Sequence, residues 1–217
     1  MSSSPRRPLK TRSRPAAQAA AAWLVRHGTT PNAISIAGVV LAAAAGACLL
    51  LVSGGPAGTQ IVLVLGAGLA IQMRLAANML DGLVAVEGGT GTPTGPLFNE
   101  VPDRLADLLV LVPAGYAISW VDWGPELGWA AGVLAVLTAY VRLLGGSLGQ
   151  EQHFCGPMAK PQRMFALTLA CLASAVEAAA WGFEGVALTI GLVVIVAGAG
   201  LTFVARLRRV AAALGEG

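Results

Sequence analysis

The stretch that decides the fold covers residues 78–107, "NMLDGLVAVEGGTGTPTGPLFNEVPDRLAD", and sets acidic side chains and two asparagines between segments apolar enough to cross a bilayer. An ionised carboxylate among lipid tails is costly unless it is paired, hydrated or bound to a cation. Clustered carboxylates at such a place therefore indicate a functional site, provided that a membrane surrounds them.

The composition of the chain predicts a membrane protein. Hydrophobic residues make up 56% of the 217 residues, charged residues make up only 12%, and mean hydropathy is +0.72. Soluble domains carry about twice that share of charged residues. Six apolar segments have roughly the 20 residues that a helix needs to cross a bilayer, and they are residues 33–53, 60–85, 96–118, 127–148, 162–182 and 185–206. Lipid cannot satisfy open backbone groups, so we predict an all-α integral membrane protein with six transmembrane helices.

The positions of Lys and Arg predict the orientation of these spans. The loops at 54–59, 119–126 and 183–184 contain neither residue, and basic loops favour the cytoplasmic side. We therefore expect both termini to be cytoplasmic and these three loops to lie outside.

The N-terminal region divides into two parts. Residues 1–14 are basic and are predicted to be a disordered tail, whereas residues 15–217 are predicted to form a single membrane domain. Residues 16–32, "AAQAAAAWLVRHGTTPN", predict a short amphipathic helix on the inner membrane surface, with Trp23 at the interface. The alternative for the tail is that its charge only sets the topology.

Polar side chains form a stripe on each helix that flanks the turn "GGTGTPTG". Spacings of three and four residues place side chains on one helix face. The two stripes are Arg74, Asn78 and Asp81 before the turn and Asn99, Asp103 and Asp107 after it. Helices joined by a loop of about ten residues are most simply antiparallel neighbours. We therefore predict that the stripes face each other and line an acidic cavity near the cytoplasmic surface.

The oxygen atoms of these side chains suit a hard divalent cation. Mg²⁺ prefers a few carboxylates together with water and substrate phosphates, so the cavity is predicted to bind such a cation and a phosphate-bearing substrate. The alternative is that the polar groups only hold neighbouring helices together.

The intervals between these residues resemble the signature of the CDP-alcohol phosphatidyltransferases, D-x2-D-G-x2-A-R-x8-G-x3-D-x3-D. Residues 78–103 keep every interval of that signature. The matching residues are Asp81, Gly82, Ala85, Gly95 and Asp103. The departures are Asn78, Val86 and Asn99, which stand where the signature has Asp, Arg and Asp.

The resemblance implies transfer of a phosphatidyl group from a CDP-linked lipid, such as CDP-diacylglycerol, to a small alcohol with release of CMP. It also implies a six-helix membrane enzyme, usually a homodimer, that holds two divalent cations, Mg²⁺ or Mn²⁺, among four carboxylates. By position, Asp81 would be a metal ligand and Asp103 both a ligand and the general base, while Asn78 and Asn99 would supply neutral oxygens. The residues that it places against the CDP moiety are Gly82, Ala85 and Gly95.

The two asparagines remove negative charge from the site that the resemblance implies, so two cations would be undercompensated. Glu100, beside Asn99, and Asp107, one turn beyond Asp103, are the available carboxylates. We therefore predict metal binding through Asp81 and Asp103 with help from Glu100 or Asp107, with one tightly bound metal instead of two as an alternative.

Arg74 has two predicted partners. The favoured one is Asp107, since antiparallel helices would bring the two residues to similar depth and an ion pair would relieve both burial costs. That pair would make Asp107 structural. The alternative is that Arg74 contacts the donor diphosphate and partly replaces the arginine missing at Val86.

A basic cluster lies near the inner ends of the fourth and fifth predicted spans and consists of Arg142, Lys160 and Arg163. Arg can grip a phosphate with two donors and Lys supplies a compact charge. The resemblance implies contact with a phosphate of the donor or of the acceptor, which makes a phosphorylated acceptor such as glycerol 3-phosphate or an inositol phosphate conceivable. The alternative is anchoring at the inner surface.

We therefore predict a metal-dependent enzyme of phospholipid biosynthesis that acts at the cytoplasmic face. The alternative that the two asparagines favour is a catalytically weakened relative that binds CDP-lipid or supports a partner enzyme. A small transporter is disfavoured, because nothing suggests an inverted repeat or paired broken helices. A nucleic-acid partner is not expected, and no residue identifies the alcohol.

Overall fold

The computed structural model describes residues 15–88, 94–150, 152 and 154–215, and the predicted tail at 1–14 lies outside the described residues. The described part of the chain is helical, as predicted. Its helices are α1 (Pro15–Arg26), α2 (Pro31–Leu50), α3 (Ala57–Glu87), α4 (Gly95–Tyr116), α5 (Gly124–Ser147), α6 (Lys160–Ala180) and α7 (Val186–Gly215).

Five of these helices, α2, α3, α5, α6 and α7, are long and apolar enough to cross a membrane. The exposed surfaces of these helices are apolar, and together these features define an integral, multi-pass membrane protein. Helix α4 has 22 residues but carries four charged side chains, Glu100, Asp103, Arg104 and Asp107. The predicted sixth span therefore depends on how those charges are shielded, and it stays a prediction.

Helix α1 occupies the place of the predicted N-terminal helix. It packs against α3, with Ala21 fully buried and Trp23 52% exposed. It ends before a turn in which the Thr30 side chain accepts a hydrogen bond from Ala33 N at 3.2 Å, which caps α2. Its location at a membrane surface stays a prediction.

The long helices form a ring. Helix α2 packs against α3, α3 against α6, α6 against α7, α7 against α5, α5 against α4, and α4 against α2. The core of the ring is apolar, and among its fully buried side chains are Leu49, Ile71, Leu111, Leu167 and Leu192. Large apolar side chains such as Val62 and Leu51 are exposed on the outside, where lipid would cover them.

The expectation that α3 and α4 are direct neighbours is wrong, because α2 packs against both of them and separates their backbones. Small residues in α2 allow this arrangement. A Cβ atom on Gly46 would lie 2.2 Å from the Leu109 carbonyl oxygen of α4, so only glycine permits the observed approach. Pro113 has no N–H for that carbonyl, and its ring also borders Gly46. The polar stripes of α3 and α4 consequently meet through long side chains at one end of the bundle.

Candidate functional site

The polar site lies at the end of the bundle where α3 finishes and where α4 and α6 begin. Asp103, in the third turn of α4, is the residue on which the side chains converge. Lys160, the first residue of α6, places Nζ 2.5 Å from Asp103 Oδ1. Arg74 Nη2 of α3 lies 3.1 Å from the same oxygen, and Arg104 Nη2 lies 3.6 Å from Oδ2. Three cations from three helices thus surround one carboxylate.

The Asn78 amide joins this group. Side-chain amide orientation is assigned from hydrogen bonding. In the orientation that satisfies both of its atoms, Asn78 Nδ2 donates to Asp103 Oδ1 at 2.7 Å and Asn78 Oδ1 accepts from Lys160 Nζ at 2.8 Å. Asn78, Asp103 and Lys160 therefore form a closed triangle of polar contacts.

Asp107 lies one turn deeper and is fully buried. Arg163 Nη2 of α6 approaches Asp107 Oδ2 at 3.0 Å, and Arg74 Nη2 lies 3.8 Å from Oδ1. The predicted Arg74–Asp107 contact is present, but Asp103 is the nearer partner of Arg74 and Arg163 is the nearer partner of Asp107. Arg163 also donates to the Met158 carbonyl at 3.2 Å, so it is held in place on two sides.

Glu100 faces α5. Arg142 Nη2 lies 2.6 Å from Glu100 Oε1, and Arg142 Nη1 donates to Gln152 Oε1 at 2.6 Å. The guanidinium of Arg142 also lies 5.4 Å from the centre of the Phe154 ring. Arg142, predicted as a phosphate contact, is therefore oriented by three groups and stands at the edge of the site.

Asp81 has a different partner. Ser35 Oγ of α2 donates to Asp81 Oδ2 at 2.8 Å, and Asp81 is buried. Ser35 is a site residue that the sequence does not predict, because a lone serine at the start of an apolar span has no distinguishing pattern. Arg104, adjacent to Asp103 in the chain, is a second such residue.

The remaining predicted residues lie at the margin of the site. Asn99 is exposed on α4, so the structure does not place it beside Asp103. Gly82 and Ala85 are half-buried near the end of α3, and Gly95 is the half-buried first residue of α4. Val86 is 66% exposed. Their predicted contact with a CDP moiety stays a prediction.

The expectation of an acidic cavity is wrong for this part of the structure. Four carboxylates, Asp81, Glu100, Asp103 and Asp107, share the site with five cations, Arg74, Arg104, Arg142, Lys160 and Arg163. Long basic side chains bring their charge far from their own backbone, so helices α5 and α6 bring the predicted basic cluster, Arg142, Lys160 and Arg163, in among the carboxylates. The site is balanced in charge, with a small cationic excess.

A crevice between α2, α3 and α4 opens beside this cluster and is lined in part by Ser35, Arg74, Asn78 and Asp103. Arg74 is 2% exposed, and its Nη1 has no hydrogen-bond partner among the described residues. A buried guanidinium N–H without an acceptor is costly.

The residues do not fit the pair of divalent cations that the resemblance implies. Among the described residues, no three His, Cys, Asp or Glu side chains converge as ligands. Glu100 and Asp107 have their own arginines, and the nearer oxygen of Asp103 is taken by Lys160. Asp81, with one neutral partner, is compatible with at most one cation.

Comparisons with known proteins agree with the membrane location and establish the fold. No protein-family model matches the chain. Inner membrane protein YnbA of Escherichia coli (strain K12) is 28% identical over 158 residues, which cover 71% of this chain and 72% of that protein.

Solved structures of a phosphatidylinositol phosphate synthase from Mycobacterium tuberculosis, PgsA1, have the same fold. The structure with bound CDP-DAG aligns with a TM-score of 0.70 and 21% identity, over 89% of this chain and 92% of that chain. The complex with manganese and citrate aligns with a TM-score of 0.69 and 20% identity, over 89% and 88% of the two chains. At this identity the similarity concerns the helical architecture.

Proposed function

We propose that this protein transfers a phosphatidyl group from a CDP-diacylglycerol-like lipid to a small alcohol, releasing CMP, in phospholipid biosynthesis. The observation that carries the proposal is the convergence of Arg74, Lys160 and Asn78 on Asp103 at one end of a membrane bundle. The fold that it shares with a synthase whose structure contains CDP-DAG supports the same reaction class.

The cationic excess of the site supports a diphosphate substrate. A nucleotide-activated lipid carries its negative charge at the membrane surface, where this end of the bundle is predicted to lie. Arg74 has a free N–H donor beside the crevice, and Arg side chains bind phosphate oxygens in pairs of hydrogen bonds. Arg74 can therefore hold the donor diphosphate without giving up Asp103.

Asp103 is proposed to accept the proton of the attacking hydroxyl. Its oxygens face the side chains of Lys160, Arg74 and Arg104 in the structure. A diphosphate that enters would share Lys160 with Asp103 while Arg74 keeps its contact, so that an Asp103 oxygen can turn to the hydroxyl. Substrate binding would thus prepare the proton transfer, because this arrangement of Asp103 exists only in the loaded site.

The acceptor phosphate, where the acceptor has one, is assigned to Arg142. Arg163 is 2% exposed and held by Asp107 and Met158, so it is proposed to be structural. Arg142 stands at the edge of the site, paired with a Glu100 side chain that remains 25% exposed. An incoming phosphate can exchange with that carboxylate.

The decisive experiment is CMP release by the purified protein in nanodiscs supplied with CDP-diacylglycerol, Mg²⁺ or Mn²⁺, and a panel of free and phosphorylated alcohols. We expect CMP release with one class of alcohol and its loss on chelation with EDTA. No CMP release with any alcohol, in protein that is folded and binds the donor, would reject the transferase.

A second candidate function is binding of CDP-lipid without turnover. The engagement of Asp103 with Lys160 at 2.5 Å favours it, as does the asparagine at position 78. The same nanodisc preparation separates the two, because a binder retains labelled CDP-diacylglycerol unchanged. The cytoplasmic location of both termini and a homodimeric assembly remain part of the proposal and rest on the charge distribution and on the resemblance.

A further inference from the structure

We infer that the Lys160 ammonium group takes the place of one divalent cation between Asp103 and Asn78, so that the site binds at most one divalent cation per chain. The inference rests on the proposed function for the nature of the site. It concerns how this chain supplies positive charge where its sequence lacks two of the signature carboxylates.

The contacts of Lys160 are those of a bound cation. Its Nζ lies 2.5 Å from Asp103 Oδ1 and 2.8 Å from Asn78 Oδ1. An ammonium group has three N–H donors and no acceptor, and two of the three are directed at oxygen atoms that would otherwise coordinate a metal. Asn78 has to present its oxygen to Lys160 and its N–H₂ to Asp103, which an aspartate at this position does not do.

The charge balance points the same way. Asn78 and Asn99 remove two negative charges from the four-carboxylate signature. Two divalent cations among the two remaining aspartates would leave an excess of positive charge in a site partly shielded from water, where such an excess is costly. Replacing one divalent cation by a singly charged ammonium brings the site one charge nearer to neutrality.

No other carboxylate in the described site is available to correct the balance. Glu100 lies 2.6 Å from Arg142, and Asp107 lies 3.0 Å from Arg163. Both are predicted from the sequence as replacement ligands, but each would first have to release its arginine. Separating the buried Asp107 from its arginine is especially unfavourable.

The position of Lys160 in its helix also requires an explanation. It is the first residue of α6, where the helix dipole disfavours a positive charge. Its side chain is only 15% exposed. A lysine placed there for helix stability or for solubility would point into water, whereas this one points at Asp103.

The test is the number of Mn²⁺ ions bound per chain, measured by equilibrium binding and by EPR on purified protein in nanodiscs. We expect wild type to bind no more than one ion, Asn78→Asp to bind the same number because Lys160 remains, and Lys160→Met with Asn78→Asp to bind one more. Arg208→Met, which removes an exposed charge from α7, is the matched control and should bind as wild type does.

Two results would overturn the inference. One is two Mn²⁺ ions per wild-type chain, and the other is a folded double variant that gains no ion. If the double variant does not fold, Lys160→Met alone decides: its melting temperature should rise with millimolar Mn²⁺ more than that of wild type, and an equal rise would contradict the inference. CMP release is not measured in any of these arms, so failure of the transferase proposal leaves the ion count unaffected.

Discussion

Two carboxylates inside the bundle, Glu177 and Asp103, are satisfied in opposite ways. Glu177 of α6 is 3% exposed and accepts only backbone N–H groups among its recorded hydrogen bonds. The donors are Glu184, Gly185 and Val186 to Oε1 at 2.9, 2.8 and 3.1 Å and Ala187 to Oε2 at 3.0 Å. These N–H groups start α7, so Glu177 caps one helix from the side chain of another.

Asp103 is held by side chains instead. Its oxygens face Lys160, Arg74, Arg104 and Asn78. Backbone donors at a helix start cannot be withdrawn without unfolding the turn, whereas the proposed function requires a side-chain cation of Asp103 to be shared with a substrate phosphate. The comparison therefore distinguishes a carboxylate that serves the fold from one that is available for function.

The largest expected effect is that of Asp103→Asn on CMP release. If Asp103 is the general base, the rate per folded molecule should fall by about 10²- to 10⁴-fold. Asp122→Asn, at an exposed position outside the helices near the opposite end of the bundle, controls for the loss of one negative charge. Unchanged CMP release in Asp103→Asn would show that Asp103 does not serve the function.

The stripes around Asp103 can be predicted well from the sequence, since local spacing is enough. Intervals of three and four residues identify the stripes that contain Asn78 and Asp103, because a helix face is a local property. Which cation meets which carboxylate is not local. Lys160 and Arg163 are more than 50 residues from their partners in the chain, as the pairs Arg163–Asp107 and Lys160–Asp103 show, and only the packing of α6 brings them in.

The surroundings of Glu177 could not be predicted from the sequence pattern. Glu177 is an isolated charge in an apolar span, and its donors lie at the end of the turn "WGFEG" and directly after it. Two glycines with positive φ, Gly182 at 96° and Gly185 at 86°, turn the chain back so that the start of α7 reaches Glu177. The same limit explains the error about α3 and α4, because loop length does not reveal that Gly46 lets α2 approach α4 closely.

Arg163→Met should have the second largest effect, on stability. It leaves the fully buried Asp107 with Arg74 at 3.8 Å as its nearest recorded cation, and breaking a buried pair costs about 3–5 kcal/mol. Adding Asp107→Leu should recover a large part of the loss, since an apolar pair often replaces a buried ion pair without penalty. Thermal unfolding in detergent measures both variants. A double variant no more stable than the single one would show that Arg163 stabilises the fold through other contacts.

Glu177→Gln follows, with an expected loss of about 2 kcal/mol, because an amide weakens charge-assisted hydrogen bonds to the α7 N–H groups. CMP release per folded molecule should stay the same, in contrast to Asp103→Asn. The exposed Glu184 lies in the same turn, and Glu184→Gln is the matched control. Reduced CMP release in folded Glu177→Gln protein would mean that the cap also positions the site at the other end of the bundle.

Asp81 lies between these two classes, since its recorded side-chain partner is the single neutral donor Ser35 at 2.8 Å. Ser35→Ala should therefore cost only about 1 kcal/mol, the smallest of these effects. Ser174→Ala is the matched control, because Ser174 is buried in α6 and its Oγ has no hydrogen-bond partner among the described residues. Removing that hydroxyl should leave thermal stability unchanged or raise it slightly. Equal losses in the two variants would show that the cost comes from the missing atom and its packing. The hydrogen bond from Ser35 would then not stabilise Asp81.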